Sequence, residues 1–401
     1  MVRTVVGHVD PTTGVPTIVG VGQAPNSGMR KGVVTNLNGP AQAIDAALGE
    51  AERMSGHEVN AATISVNGAH ILSSKADGMI AVGMMDHEIN EEDIRRIEEV
   101  ATVGKIPQNR EVLEVVPHSY TLDGQLGIKE PLGMNGSRLE INANVISALT
   151  PYVQNVEKVA EMATVKPSAV IVSGLAASKA VLKEAQLESG VAVIDIGGST
   201  TTVSVFEEGD LQYVGVIPIG GMNITNDLAI GLKTDPEVAE EVKLKHAVAV
   251  ARGDNTSVSI KREGESYSFD TKDIDDYVEA RLEEIFEKVQ KELKKAGRVG
   301  QLPSGVVLTG GTAKLKNIAD YAKEQLGLAA RVGKPSGFGG VADNITDPEY
   351  ATAVGLMLID SEAAGPQPRG RISNNHHGRD IKDLAKNTGG KLRGFLKRFK
   401  A

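Results

Sequence analysis

The chain has 401 residues, 41% hydrophobic and 24% charged, with a net charge of −9, an ordinary soluble composition with room for two or three cores. It has no cysteine, which excludes disulfides, thiolate nucleophiles and cysteine zinc sites and fits a reducing cytoplasm. The acidic balance argues against general nucleic-acid binding, and no run of about 18 apolar residues offers a membrane span.

In chain order, residues 2–22 predict two strands about a turn at Asp10–Gly14, too early a break for a signal-peptide core. Residues 38–56 carry helical periodicity ending on Gly56, and 61–82 return to strand. An Asn cap and an acidic first turn predict a helix over 90–103. Two more strands follow at 110–124 and 137–149, then a helix from 151 and a buried strand at 168–175. A run of hairpins spans 191–221, a long charged helix 274–297, a strand, Gly turn and helix 304–327, and a last apolar helix 347–361. Six Phe, seven Tyr and no Trp against 45 Gly favour α/β layers, where small residues let helices lie close on a sheet.

Residues 362–380 hold one large apolar residue, Ile372, and read as a flexible linker. His376 and His377 fall there and read as solvated polar residues, not a metal pair. Beyond it, Leu392, Phe395, Leu396 and Phe399 stand at i, i+3, i+4 and i+7, flanked by Lys391, Arg393, Lys397, Arg398 and Lys400. From Lys386 onward there are six basic residues and no acidic one, leaving −15 on residues 1–385. Such a helix, with Leu384 on the same face, suits the interface of an anionic bilayer, each charge contributing ~1 kcal/mol and the whole binding reversibly. Nucleic acid, the chain's own acidic body and a partner protein are the competing targets.

The strongest internal stretch is VIDIGGSTTTVSVF (193–206), where a buried strand delivers Asp195 to a turn at Gly197, Gly198, Ser199 and Thr200. Backbone N–H groups in such a turn make a nest for phosphate oxygens, with hydroxyl donors beside it and a carboxylate able to hold Mg through water; a plain ligand-free hairpin is the alternative. VVLTGGTAKL (306–315) reads as a strand joined by a Gly pair directly to a helix, whose N-terminus also suits phosphate. IPIGG (217–221) supplies a third Gly pair before a helix near Asn223. Neither a Walker loop nor a convincing dinucleotide fingerprint occurs; GFGGVA (337–342) follows no strand. Glu240 and Lys243 alone would pass as an exposed i, i+3 helix pair.

This ordered set resembles the nucleotide site of the actin, Hsp70 and sugar-kinase superfamily. The resemblance implies ATP and Mg as cofactors: Asp195 on the Mg side, Gly197, Gly198, Ser199 and Thr200 on the β- and γ-phosphates, Gly221 and Asn223 nearby, Glu240 and Lys243 at the ribose, and Gly310, Gly311 and Thr312 at the adenosine. GQAPNSGMRKGVVTNL (22–37), EVLEVVPHSYTLDGQLGIKEPLGMNGSRLE (111–140), DPEYATAVGLML (347–358) and the basic terminal helix resemble, in order, segments of the bacterial cell-division FtsA family.

That resemblance implies a two-lobed actin-like α/β fold: subdomain 1A at 1–72 and 147–190, an inserted 1C at 73–146, 2A at 191–232 and 303–346, and 2B at 233–302. A closing helix at 347–361, the linker at 362–380 and a membrane-targeting helix at 381–401 would follow. It further implies anchoring of polymers of the tubulin-like GTPase FtsZ, bound through 2B, to the cytoplasmic membrane face at the division site. Recruitment of other division proteins, self-association into filaments through 1C, and little ATP hydrolysis go with it. The family's first phosphate loop would lie upstream of VRTVVGHVD, which implies weakened ATP binding for the chain as it begins at Met1 and restored affinity with that segment. The competing readings are a pilus-assembly relative that binds a membrane-protein peptide, a sugar-kinase-like enzyme of the same fold, and an Hsp70-type chaperone, which lacks the insert.

Overall fold

The structure is a computed structural model and describes residues 1–10, 14–83, 88–340 and 345–363. Most of the predicted linker and the whole predicted terminal helix, with Leu392, Arg393, Phe395, Leu396, Lys397, Arg398, Phe399 and Lys400, lie outside the described residues.

The first lobe opens with an antiparallel pair, β1 (Val2–Val9) and β2 (Pro16–Ala24). A two-residue pair follows, β3 (Met29–Arg30) with β4 (Val33–Val34). Helix α1 (Asn38–Ser55) buries Ala43, Ala47 and Ala51 and ends on Gly56 at φ 72°, the left-handed stop that the sequence indicated. β5 (Ala61–Val66) completes this part.

A separate unit is then inserted: β6 (Leu72–Ala81), α2 (Glu91–Thr102), β7 (Arg110–Leu122), β8 (Gln125–Ile128) and β9 (Arg138–Leu149). Its four strands form an antiparallel sheet ordered β6-β9-β7-β8. Asn90 starts α2: its Oδ1 accepts from the N–H groups of Glu92 (2.9 Å) and Asp93 (3.1 Å), and the Asp93 carboxylate accepts from the Asn90 N–H (3.2 Å). With this capping box in place, Ile94, Ile97 and Ala101 pack on Ala76, Ile80, Leu139 and Ile141.

The chain returns to the first lobe through α3 (Thr150–Met162) and β10 (Lys166–Val172), which pairs parallel with β5. Helix begins at Ser173, inside the segment that reads as strand: α4 (Ser173–Val181) buries eight of its nine residues, so no polar face marks its period. A short α5 (Glu184–Ser189) leads onward.

The second lobe starts with β11 (Val191–Ile196), β12 (Thr201–Glu207) and β13 (Asp210–Ile217). Next come α6 (Gly221–Gly231), α7 (Pro236–His246), the hairpin β14 (Ser257–Arg262) and β15 (Glu265–Asp270), and α8 (Thr271–Lys295). The charged α8 has a continuous buried stripe, Ile274, Val278, Leu282, Ile285, Phe286, Val289 and Leu293, as one face of an amphipathic helix requires.

β16 (Val306–Thr309) runs into a 3₁₀ turn at Gly311–Lys314, and α9 (Ile318–Leu326) begins only after Asn317, at φ 63°. The expected direct passage from Gly pair to helix is therefore corrected. β17 (Ala330–Val332) closes a five-stranded sheet ordered β13-β12-β11-β16-β17. A 3₁₀ turn at Pro348–Tyr350 leads into α10 (Ala351–Ala363), which begins four residues and ends two residues later than the helix the sequence indicated. Between the lobes α10 packs on α4 so closely that a Cβ on Gly355 would stand 1.7 Å from the Ala176 carbonyl oxygen.

Candidate functional site

Asp195 sits near the end of β11, all six of whose residues are buried. The following turn closes with the Gly197 N–H donating to Thr200 O at 2.9 Å. Its carbonyls face α6: Gly197 O accepts from the Gly221 N–H (2.9 Å) and from Thr312 Oγ1 (3.2 Å), and Gly198 O from the Met222 N–H (2.7 Å). Turning the carbonyls that way leaves the N–H groups of Gly198, Ser199 and Thr200 without a protein acceptor among the described residues. Adjacent unpaired N–H groups form an anion-binding nest.

Two expected contributions change character here. The first N–H groups of α6 already serve the hairpin carbonyls, so this helix end is a clamp on the turn. Asn223 Oδ1 accepts from the Gly220 N–H at 3.1 Å, so its side chain caps its own helix.

Burial pushes the Asp195 carboxyl up to about 6, while the neighbouring Thr309 hydroxyl and the charge of Arg3 pull the other way. Gly310 lies over it at φ 85°, where a Cβ would come within 2.6 Å of Asp195 Oδ1; left-handed backbone and close approach both require glycine. A buried carboxylate with a raised pKa is an ion short of a counter-charge.

On α7, Lys243 Nζ donates to Glu240 Oε2 (2.6 Å), Thr225 Oγ1 (2.8 Å) and Gly221 O (3.2 Å). The Lys243 side chain is 13% exposed, so this is no solvated helix pair: besides Glu240 on its own helix, Lys243 binds Gly221 and Thr225 of α6 and so ties α7 to the first turns of α6. Across from it, Lys314 pairs with Asp347 (3.0 Å) and Glu349 (3.4 Å).

All this faces one cleft of about 1240 Å³. Asp195, Gly197, Gly198, Gly221, Glu240, Lys243, Gly310, Gly311 and Thr312 line it; Ser199, Thr200 and Asn223 do not. Among the lining residues that sequence reasoning did not single out are Arg3 and Asn67. Arg3 stands in the cleft with its guanidinium on Glu349 (2.8 Å) and over the Tyr350 ring. Asn67, after β5, donates from Nδ2 to Thr200 Oγ1 (3.2 Å) and accepts at Oδ1 from Thr202 Oγ1 (3.3 Å). Asn67 thereby ties the first lobe to the hairpin of the second. The signal for it was the strand-then-Asn-Gly step in TISVNGA.

Among the described residues no group of three or more His, Cys, Asp or Glu is placed to hold a metal. A Mg ion carried by phosphates asks for only one or two carboxylates, often through water, and Asp195 satisfies that donor set. Nor is any described helix long and apolar enough to cross a membrane.

Two lobes joined by crossing helices, a glycine hairpin at the cleft and an inserted four-stranded unit define the actin-like class of α/β fold. Residues 68–147 match the family described as "SHS2 domain inserted in FTSA", 192–355 match "Cell division protein FtsA", and 129–251 match "Type IV pilus assembly protein PilM". The chain is 36% identical to the cell division protein FtsA of Pseudomonas aeruginosa over 345 residues, 85% of this chain and 82% of that protein. It is 35% identical to FtsA of Neisseria meningitidis serogroup B over 389 residues, 95% of this chain and 91% of that one. The solved "PilM-PilN type IV pilus biogenesis complex" shares the fold, with a TM-score of 0.64 at 18% identity over 90% of this chain and 95% of that chain. The chain belongs to the family of the cell division protein FtsA.

Proposed function

We propose that this chain is an ATP-binding, actin-like cell-division protein that holds FtsZ polymers to the cytoplasmic face of the membrane at the division site and recruits further division proteins. The observation that carries the nucleotide reading is the turn after β11, where Gly197, Gly198 and the buried Asp195 carboxylate line one cleft and the N–H groups of Gly198, Ser199 and Thr200 have no protein acceptor among the described residues. In this reading Gly197, Gly198, Ser199 and Thr200 meet the phosphates, Glu240 and Lys243 the ribose, and Gly310, Gly311 and Thr312 the adenosine, with Asp195 holding Mg through water. Bound ATP and Mg would supply a charge that favours one arrangement of the two lobes. Little hydrolysis is expected, as the resemblance to the family implies.

Three further elements complete the reading. The exposed face of α8 and the β14–β15 hairpin would receive FtsZ, copies of the chain would associate through the inserted unit, and residues 381–401 would bind anionic lipid, with subdomain limits as the sequence indicates. Fluorescent-ATP titration with and without Mg tests the site: Gly198→Val should abolish binding, and binding equal to the parent's would overturn the assignment. Co-sedimentation with anionic vesicles tests the anchor. Phe395→Glu with Phe399→Glu should release the chain, and equal sedimentation of both forms would refute the tether.

A further inference from the structure

The link from Asn67 to the phosphate turn continues beyond the cleft. Asn67 Oδ1 accepts from the Gly68 N–H (2.8 Å) and from Thr202 Oγ1 (3.3 Å), and Nδ2 donates to Thr200 Oγ1 (3.2 Å). A primary amide has two N–H donors, and the second has no acceptor among the described residues. Asn67 lines the cleft whereas Thr200 and Thr202 do not. It is thus a first-lobe group that meets both the cleft and the closing end of the turn.

Behind Asn67 the contacts run into the inserted unit. The Asn67 carbonyl oxygen lies 3.1 Å from His70 Nε2. A carbonyl only accepts, so the proton is on Nε2, and Nδ1 is left buried without a partner among the described residues. Burial holds this ring below its usual pKa, with the Asn67 carbonyl pulling upward and the Arg110 charge downward. The ring packs at 4.8 Å on that of Tyr152, in the first turn of α3. The His70 carbonyl in turn accepts from Arg110 Nη2, at the start of β7. The same guanidinium donates to Ser147 Oγ (3.0 Å) and Ser147 O (2.9 Å) of β9. The turn between has little slack: Gly68 stands at φ 130°, where a Cβ would come within 2.8 Å of the His70 ring. The chain enters the insert at 67–72 and leaves it at 147–152, so Asn67, His70, Arg110 and Tyr152 pin both crossings. Neither His70 nor Arg110 lines the cleft.

We propose that Asn67 distinguishes ATP from ADP, and that His70 and Arg110 pass its state to the two crossings of the inserted unit. This role rests on the nucleotide reading above and adds a residue that senses the terminal phosphate and a route by which the insert responds. In that reading the second lobe holds the nucleoside through Glu240, Lys243 and Gly310–Thr312. The terminal phosphate is then the part of the ligand that extends farthest toward the first lobe. An anionic oxygen is the strongest acceptor for a spare amide N–H, and an Asn67 drawn onto it shifts its own carbonyl against His70. By reciprocity, contacts that hold the crossings in the ATP arrangement must raise the preference for ATP.

Affinities for ATP and ADP with Mg are measured on the full chain by displacement of a fluorescent nucleotide. The parent should favour ATP about tenfold or more. Asn67→Asp keeps the acceptor for Gly68 and Thr202, removes the donor and should abolish that preference. Arg110→Gln, outside the cleft, should reduce it about threefold. A residue that merely props the fold would weaken both nucleotides alike and leave the ratio unchanged. Backbone amide exchange is the second readout. At 68–73 and 145–150 it should be slower with a non-hydrolysable ATP analogue than with ADP in the parent, and equal in Asn67→Asp. Equal affinity of the parent for ATP and ADP, a ratio untouched by Asn67→Asp, or equal exchange at the crossings in the two nucleotide states overturns the role of Asn67 and leaves the site standing. A parent that binds neither nucleotide defeats the site reading and this role with it. Should Asn67→Asp bind neither, Arg110→Gln decides: a reduced ratio supports the relay and an unchanged one overturns it.

Discussion

The two lobes differ in how their described strands are joined. The second lobe's sheet is continuous: β11 has all six residues buried, and its neighbours bury both faces. Among the described residues the first lobe has two separate strand pairs, β1–β2 and β5–β10, both packed on α10. A sheet whose central strand is shielded on both sides draws stability from both ladders and both layers, whereas two separate strand pairs rely on the helices that cover them. The site sits at their junction: the second lobe supplies a rigid glycine turn, and the first supplies Arg3 and Asn67 from strands or turns with freer neighbours.

If the α4–α10 crossing is what holds the strand pairs in place, breaking it should have the largest effect. Gly355→Ala places a Cβ on the Ala176 carbonyl and should cost about 4 kcal/mol, read as a lower urea midpoint. A loss under about 1 kcal/mol would mean that the helices slide freely and the pairs are held by other contacts.

The next effect depends on pH and belongs to the second lobe's rigidity. The Asp195 carboxyl is raised from 3.8 to about 6, so the folded protein holds a proton that the unfolded chain releases. Stability is therefore full below pH 4, falls as pH rises through 6, and is lower by about 3 kcal/mol beyond it. Asp195→Asn should match the parent at pH 4 and exceed its stability at pH 8; parallel pH profiles would show that the cavity already supplies a compensating charge.

The comparison itself is sharpened by paired truncations. Leu308→Ala in the fully buried β16 should cost about 3 kcal/mol, and Ile64→Ala in the half-buried β5 about 1 kcal/mol. Equal losses would say that the first lobe is as tightly packed in solution as the second.

Much of the fold was legible from local chemistry. The Asn90 cap with Asp93 three residues on, Gly56 at a helix end, and the alternation in β2 each determine local structure by themselves. What escaped was set by distant partners. SGLAASKAV has no polar face because α4 is enclosed on all sides, so its helical period was invisible. The β14–β15 hairpin, SVSIKR and ESYSFD, buries only Ile260 and so offers no alternating stripe. At the site, the glycine pairs were readable because glycine marks unusual backbone. Arg3 looked like any outward residue of an alternating strand, and which strand pair lies beside which is not encoded in any strand's own pattern.

The smallest expected effect concerns the inserted unit, which departs from the chain of the first lobe yet docks on an edge of the second. Lys129, after β8, reaches Asp210 (2.9 Å) and Glu208 (3.3 Å) at the β12–β13 turn, and Asn144 Nδ2 donates to Gln212 O (3.3 Å). Asp210 is only 8% exposed but Lys129 is 39% exposed, so water screens one end of the pair. Lys129→Met should therefore cost about 1 kcal/mol, between the value of a surface pair and that of a buried one. Combined with Asp210→Asn in a double-mutant cycle, a coupling near 0.5–1 kcal/mol would identify this contact as part of what covers β13. A coupling of zero would leave the edge of the second lobe covered by packing alone, and the contrast between a joined sheet and separate strand pairs would then rest on apolar contact, with no ionic part.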